Sequence, residues 1–290
     1  MSRNLTSKIE SMMPSFSKGQ KLIAKYIIEN YDKAAFMTAL KLGETVGVSE
    51  STVVRFATEI GFDGYPKLQK AIQEMIRSRL TSVQRFEVTE SRIGGSDIFD
   101  SVLNHDIDKI KKTLDEASRK DFYAAVDSIV AARKIYILAA RSSMALASFL
   151  GFYFNLMFEN IVVIKATSEA EIYEQLFRIS KQDVIVGISF PRYSRIVVKA
   201  TEFASNRGAA VISMTDCFSS PMVEYADHVI LARSDMASIV DSLVAPLSVI
   251  NALIVATALK KKVDVVNTFR KLENLWEQYE VYEKADGEGF

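Results

Sequence analysis

The sequence predicts a multidomain chain: an all-α helix-turn-helix head, then an α/β domain built on a three-layer, Rossmann-like parallel sheet. Three observations predict this. Residues 43–62 set a glycine turn between two stretches of helical periodicity. From Arg133 onward, short apolar runs alternate with helix-period segments. Charge is also uneven along the chain. Residues 1–85 carry 13 Lys+Arg against 8 Asp+Glu, while the remainder carries 23 against 28, so a net charge of zero hides a basic head on an acidic body.

In the head, Ser17 is placed to cap a helix whose Leu22, Ile23, Tyr26, Ile27 and Tyr31 fall on one stripe. Gly43 is small where two helices must approach. Gly47 stands where the first helix of the pair has to turn, a position that favours positive φ. Val46 and Val48 point inward, Ser49 is the next N-cap, and Val53 and Phe56 supply the buried face of the second helix. The opposite face carries Ser49, Ser51, Thr52 and Arg55, short polar groups and one guanidinium that can reach phosphates and base edges in a major groove. An ordinary αα-hairpin has the same spacing. The supporting helix upstream, the Gly61–Pro66 break and the helix begun by Leu68, Ala71, Ile72 and Met75 favour the DNA reader, with double-stranded operator DNA as partner. A modest positive charge suits two copies on two half-sites, and salt-sensitive binding.

Residues 1–80 are expected to form this head and 81–120 a linker and connecting helix, leaving 121–290 as the second domain. Gly94 and Gly95 interrupt the polar stretch 78–97, Ser96 or Asp97 can cap a helix running to Leu114, and Asp121 starts another through Val126 and Ile129. Hydrophobic content of 49% and charged content of 25% suit an ordinary globular protein. The N-terminus lacks the apolar run of a signal peptide, no apolar stretch is long enough to span a membrane, and a single cysteine, Cys217, fits a reducing cytoplasm. No metal site or cofactor is expected, because Cys217, His105 and His228 have no ligand spacing.

In the second domain, strands are expected at 134–139, 161–164, 183–189, 209–214 and 228–231. Helices are expected at 143–158, 169–180, 194–207 and 240–262. Near-continuous apolar strands joined by helices argue for a parallel sheet covered on both faces, with ligands beyond the strands' carboxyl ends. The loops to inspect follow Ala139, Ser189 and Met214. The first holds Arg141, Ser142 and Ser143; the second holds Ser189, Arg192, Ser194 and Arg195. Helix N-termini, hydroxyls and guanidinium forks together suit an anion. The same residues also have a plain reading, with Ser143 and Ser194 as helix caps and the arginines in surface ion pairs.

The segment L-G-E-T-V-G-V-S-E-S-T-V-V-R-F-A-T-E-I-G-F-D-G-Y, the seryl loops and G-A-A-V-I-S-M-T-D at 208–216 resemble the RpiR family of bacterial transcription regulators. That family joins a helix-turn-helix domain to a SIS (sugar isomerase) domain that binds phosphosugars. The resemblance implies that Ser143 matches the serine of a first loop usually reading G-x-G-x-S, and that Ser189 and Ser194 match the outer residues of S-x-S-G-x-T. Ala139 and Arg141 replace the two glycines of the first motif, and Pro191 and Arg192 replace the Ser-Gly pair of the second. Side-chain cations then stand where backbone N–H groups usually serve, which points to an anionic sugar or sugar-phosphate effector richer in charge than a hexose monophosphate.

The expected protein is a regulator of carbohydrate metabolism, not an enzyme, acting as a homo-oligomer (dimer or tetramer) with no membrane partner. The apolar faces of 240–262 and of Val266, Phe269, Leu272, Leu275, Trp276 and Tyr279 either dimerise or cover the sheet. A phosphosugar isomerase would need a base among Glu169, Glu171 and His228. A third reading gives the SIS domain an assembly role alone.

Overall fold

A computed structural model describes residues 2–76, 81–93, 97–165, 168–234 and 240–283. The chain divides into two compact units, one comprising Met1–Ile98 and the other beginning at Phe99.

The first unit is helical: α1 Ser2–Met12, α2 Lys18–Glu29, α3 Tyr31–Ala34, α4 Ala39–Val46, α5 Glu50–Glu59, α6 Tyr65–Ile76 and α7 Ser82–Ile93. Ser17 opens α2 with a capping box, its hydroxyl accepting from Gln20 N while Gln20 Oε1 accepts from Ser17 N at 2.8 Å. Gly47 ends α4 at φ 75°, and Ser49 opens α5 by accepting from Thr52 N. Ile23, Leu42, Val53, Phe56, Ile60, Leu68 and Ile72 are fully buried in one core. Tyr65 and Gln69 both donate to Met37 O at 2.8 Å, which ties α6 to the segment leading into α4.

Gly43 is where α4 meets the start of α5. A Cβ there would lie 2.8 Å from Val48 O, a backbone atom fixed by its own N–H bond to Gly43 O. Gly43→Ala is therefore expected to destabilise the head by about 1–3 kcal/mol, the usual cost of overpacking. Thermal unfolding of the variant checks this, and an unchanged melting temperature would contradict it.

In the second unit, α8 Ile98–Glu116 and α9 Arg119–Ala131 precede a five-stranded sheet. The strands are β1 Lys134–Ala139, β2 Ile161–Ile164, β3 Asp183–Ile188, β4 Ala210–Thr215 and β5 His228–Leu231. They run parallel in the order β2-β1-β3-β4-β5. Crossovers are made by α10 Met144–Asn155, α11 Glu169–Leu176 and α12 Arg195–Asn206, and the fold closes with α13 Val244–Lys260 and α14 Lys262–Gln278. Alternate strand residues feed two cores. Ile135, Ile137 and Ala139 pack with α9, α10 and α13; Tyr136 and Leu138 pack with α11 and α12. This is the three-layer α/β architecture the periodicity predicts.

Several boundaries differ from the sequence reading. Ser118, not Asp121, opens α9, its hydroxyl accepting from Asp121 N at 3.2 Å. The stretch read as a boundary contains helix α7, while Gly94, Gly95 and the proposed Ser96 cap lie outside the described residues. The single helix expected over 240–262 begins at Val244, stops at Lys260 and turns by 100° into α14. Among the described residues, no single helix is long and apolar enough to cross a membrane.

At the amino edge of the sheet, Asp183 is fully buried and receives both Arg133 Nε (3.0 Å) and a second guanidinium nitrogen (2.8 Å), locking the starts of β1 and β3 together. The helix α8 is fastened to this unit by Asp106, which accepts from Ser242 at 2.6 Å, and by Thr113, which accepts from Arg233 N at 2.9 Å.

Candidate functional site

The outward face of α5 is defined by what the helix buries. Val53, Phe56 and Ala57 point into the core, which leaves Glu50, Ser51, Val54, Arg55 and Thr58 on the solvent side. Ser51 and Arg55 are exposed as the sequence predicts. Thr52 is only half-exposed, because a Cβ on Gly19 would come within 3.5 Å of its methyl; the N-terminus of α2 passes beside the N-terminus of α5. Lys18 and Lys21, exposed on that turn of α2, are cations the sequence reading passed over. Ser49, Ser51 and Thr52 form a hydroxyl cluster, with Oγ of Ser49 at 2.9 Å from Ser51 and 2.8 Å from Thr52. The Arg55 guanidinium has no ion-pair partner among the described residues.

In the second unit, the strand order reverses direction between β1 and β3. Such a switch point leaves a crevice beyond the carboxyl ends of the two strands. Ala139 pairs with Ile188 at that end, so the loops after β1 and β3 flank one edge of the sheet. Arg141, Ser142 and Ser143 form a single 3-10 turn after β1, leading into α10. Arg141 sits at φ 57°, in the left-handed region that costs a side chain about 1 kcal/mol or more. This is the position the resemblance assigns to a glycine.

Neither Ser143 nor Ser194 caps its helix: each stands at an N-cap position with no side-chain bond to the helix. The plain reading of these serines as caps is thereby corrected. The N-terminal N–H groups of α10 and α12 are left without side-chain caps, and their dipoles favour an anion. Ser143 is 7% exposed, while Ser142 is exposed. Ser189 is buried and closes its own loop, its Oγ accepting from Ser194 N at 3.0 Å while its N–H donates to Met214 O at 3.1 Å. Arg141, Arg192 and Arg195 are exposed, and none has an ion-pair partner among the described residues.

Two further residues organise this edge. The Tyr193 hydroxyl donates to Asp216 Oδ1 at 2.8 Å, joining the loop after β3 to the end of β4. Burial, the Asp216 carboxylate beside it and Cys217 push the Tyr193 phenol upward, so it stays protonated and remains a donor throughout the neutral range. Asp216 is fully buried and also accepts from Thr215 at 3.5 Å, so this carboxylate is engaged within the protein. Tyr193→Phe is expected to cost about 1.5–3 kcal/mol, the worth of a hydrogen bond to a charged group. Urea unfolding measures it, and a loss below 0.5 kcal/mol, about the floor for any hydrogen bond, would count against the clasp.

Two cavities lie away from this edge. One of about 310 Å³ is lined by apolar residues of α8, α9 and α13, including Ile110, Leu114, Phe122 and Val249. The other, about 700 Å³, opens at the amino end of β1 beside Arg133, Asn155, Lys261 and Lys271.

Comparison with known proteins places both units. Residues 3–79 match the family model described as a helix-turn-helix domain of the rpiR family, and residues 128–256 match that of the SIS domain. An uncharacterized HTH-type transcriptional regulator of Caldanaerobacter subterraneus is 27% identical over 92% of this chain and 93% of its own length. The HTH-type transcriptional regulator HexR of Pseudomonas aeruginosa is 25% identical over 93% and 95%. The sugar isomerase domain of an RpiR transcription factor from Sphaerobacter thermophilus covers 61% of this chain and 98% of its own, at 26% identity and a TM-score of 0.58. The Vibrio vulnificus NanR protein, solved in complex with ManNAc-6P, is 20% identical, covers 95% of this chain and 99% of that one, and has a TM-score of 0.58.

Proposed function

This chain belongs to the RpiR family of helix-turn-helix transcriptional regulators with a SIS domain, and on that premise we propose that it is controlled by an anionic sugar or sugar phosphate bound at the switch point. The observation that carries this reading is the pairing of Ala139 with Ile188. It sets two arginine-bearing loops and two uncapped helix N-termini along one edge of the sheet. Arg141, Arg192 and Arg195 supply fork donors, and Ser142, Ser143 and Ser194 supply hydroxyls. Ser189 shapes the second loop instead of facing the ligand. In the head, Arg55 and Ser51 read bases, Ser49 and Thr52 hold the N-terminus of the reading helix, and Lys18 and Lys21 meet phosphates.

The acting species is a homo-oligomer with an even number of copies. Phe99, Leu103, Ile107, Ile110 and Leu114 are all exposed on one stripe of α8, at helical spacing. The faces expected for this role divide. α13 turns Ile250, Leu253 and Thr257 inward over the sheet and exposes Val255 and Leu259, whereas α14 buries Val265 and exposes Val263 and Leu275, with Tyr279 exposed just beyond it.

An isomerase reading finds little support. Glu169 is paired with Lys199 at 2.9 Å, and His228 lies at the amino end of β5, bonded to Ser128 at 2.8 Å, on the edge of the sheet opposite the switch point. The test of the effector is a thermal-shift screen of the full chain against sugar phosphates, sugar-acid phosphates and bisphosphates. A ligand at 100 times its Kd stabilises the native state by about 2.7 kcal/mol. A hit confined to anionic sugars supports the reading. With neutral polyols run beside them, a hit with the polyols alone overturns the anionic reading, and none across the panel overturns it in favour of an assembly-only SIS domain.

A further inference from the structure

On the outward face of α5, Glu50, Ser51, Arg55 and Thr58 are polar and Val54 alone is apolar, with 39% of its surface exposed. A face that met only water would gain nothing from an isopropyl group at its centre. The hydroxyls around it are engaged within the helix: Thr58 Oγ1 donates to Val54 O at 3.2 Å, and Ser51 Oγ lies 2.9 Å from Ser49 Oγ. Beside the Glu50 carboxylate and the Ser51 hydroxyl, this face offers a base the Val54 isopropyl and its neighbour, the Arg55 guanidinium, which has no ion-pair partner among the described residues. In the major groove, guanine offers O6 and N7 to a guanidinium fork. Among the four bases, only thymine presents an apolar group, its 5-methyl.

We propose that Val54 is a specificity-determining residue that packs on a thymine methyl, in the base pair adjacent to the one Arg55 reaches. The inference rests on the reading of α5 as the DNA-recognition helix and adds to it a base identity. Each half-site then contains a thymine whose methyl, not its hydrogen-bonding edge, is recognised.

The test uses the full chain and a library of random DNA duplexes, enriched by binding at fixed salt with the wild type and with Val54→Ala. The enriched wild-type duplex is then made with deoxyuridine in place of each thymine in turn, which removes the methyl and leaves the protein untouched. The expected result is that Val54→Ala loses preference at a single thymine per half-site while the neighbouring guanine preference stays. Deoxyuridine at that position weakens wild-type binding about fourfold, the worth of one buried methyl, and leaves the Val54→Ala affinity unchanged. If the variant selects the same thymine as strongly, or if no deoxyuridine substitution weakens the wild type, Val54 does not read a methyl although the head still reads DNA. If the wild type enriches no sequence at all, the DNA-reading role of α5 itself falls, and this inference falls with it.

Discussion

Arg55→Ala is expected to weaken sequence-specific DNA binding by roughly 10- to 100-fold for each reading head, because a bidentate guanidinium–guanine pair is worth about 1–3 kcal/mol. Arg55 lies on the exposed face of α5 one turn from its start, and its guanidinium has no protein partner among the described residues. Removing it therefore breaks nothing inside the head, whose core of Val53, Phe56 and Leu42 is on the other side. The melting temperature should stay unchanged while specific affinity falls. Binding to unrelated duplex, which depends on phosphate contacts, should fall much less. Anisotropy titrations of specific and unrelated duplexes at one salt concentration measure both. Equal loss on the two duplexes would make Arg55 a phosphate contact and move base reading elsewhere on α5.

The second large effect is expected from Arg141→Gly. The arginine holds a left-handed backbone angle, φ 57°, that glycine adopts without strain. Relief of that strain is offset by the greater freedom of glycine in the unfolded chain, so stability should hold or rise by no more than about 1 kcal/mol. Anion binding should nevertheless fall by roughly 10- to 100-fold, the worth of one charge-assisted hydrogen bond of about 1.5–3 kcal/mol. A variant at least as stable as the parent but unable to bind its effector would show that the arginine is kept for the ligand and not for the fold. Calorimetric titration beside thermal unfolding separates the two quantities. Unchanged effector affinity in Arg141→Gly would remove this residue from the site.

The readable parts of the chain were those governed by local rules. Ser17, Ser49 and Gly47 carry their roles in their own chemistry, a hydroxyl before a helix or a residue free to take φ 75°. The strands were legible because a sheet covered on both faces needs uninterrupted apolar runs, as in Ile135–Leu138 and Val184–Ile188. Tyr193 and Asp216 were missed because their bond spans 23 residues and depends on β4 lying next to β3, which no local pattern encodes. The end of α13 was legible within two residues, because the apolar run stops at the lysines 260–262; the helical conformation of the segment beyond it, α14, was not read. By residue type alone Asp121 reads as the start of α9, because it is a good capping residue. Ser118, three residues earlier, does the capping and leaves Asp121 in the first turn, where its charge still favours the helix dipole. The arginine-bearing loops were legible by residue type. The absence of side-chain caps at Ser143 and Ser194 depends on how each loop enters its helix, which residue type does not encode.

The measurement that tests control by the switch-point site most directly is the affinity of the full chain for its enriched duplex, titrated with the same panel of anionic and neutral sugars. The proposed mechanism requires that one anionic class bind the DNA-competent and DNA-incompetent states unequally. It predicts a change in DNA Kd of at least about fivefold, the lower end of ordinary allosteric coupling, and loss of that change in Arg141→Gly with DNA affinity in the absence of sugar preserved. A DNA affinity unmoved by every anionic sugar, or a response that survives in Arg141→Gly undiminished, would contradict control through this site.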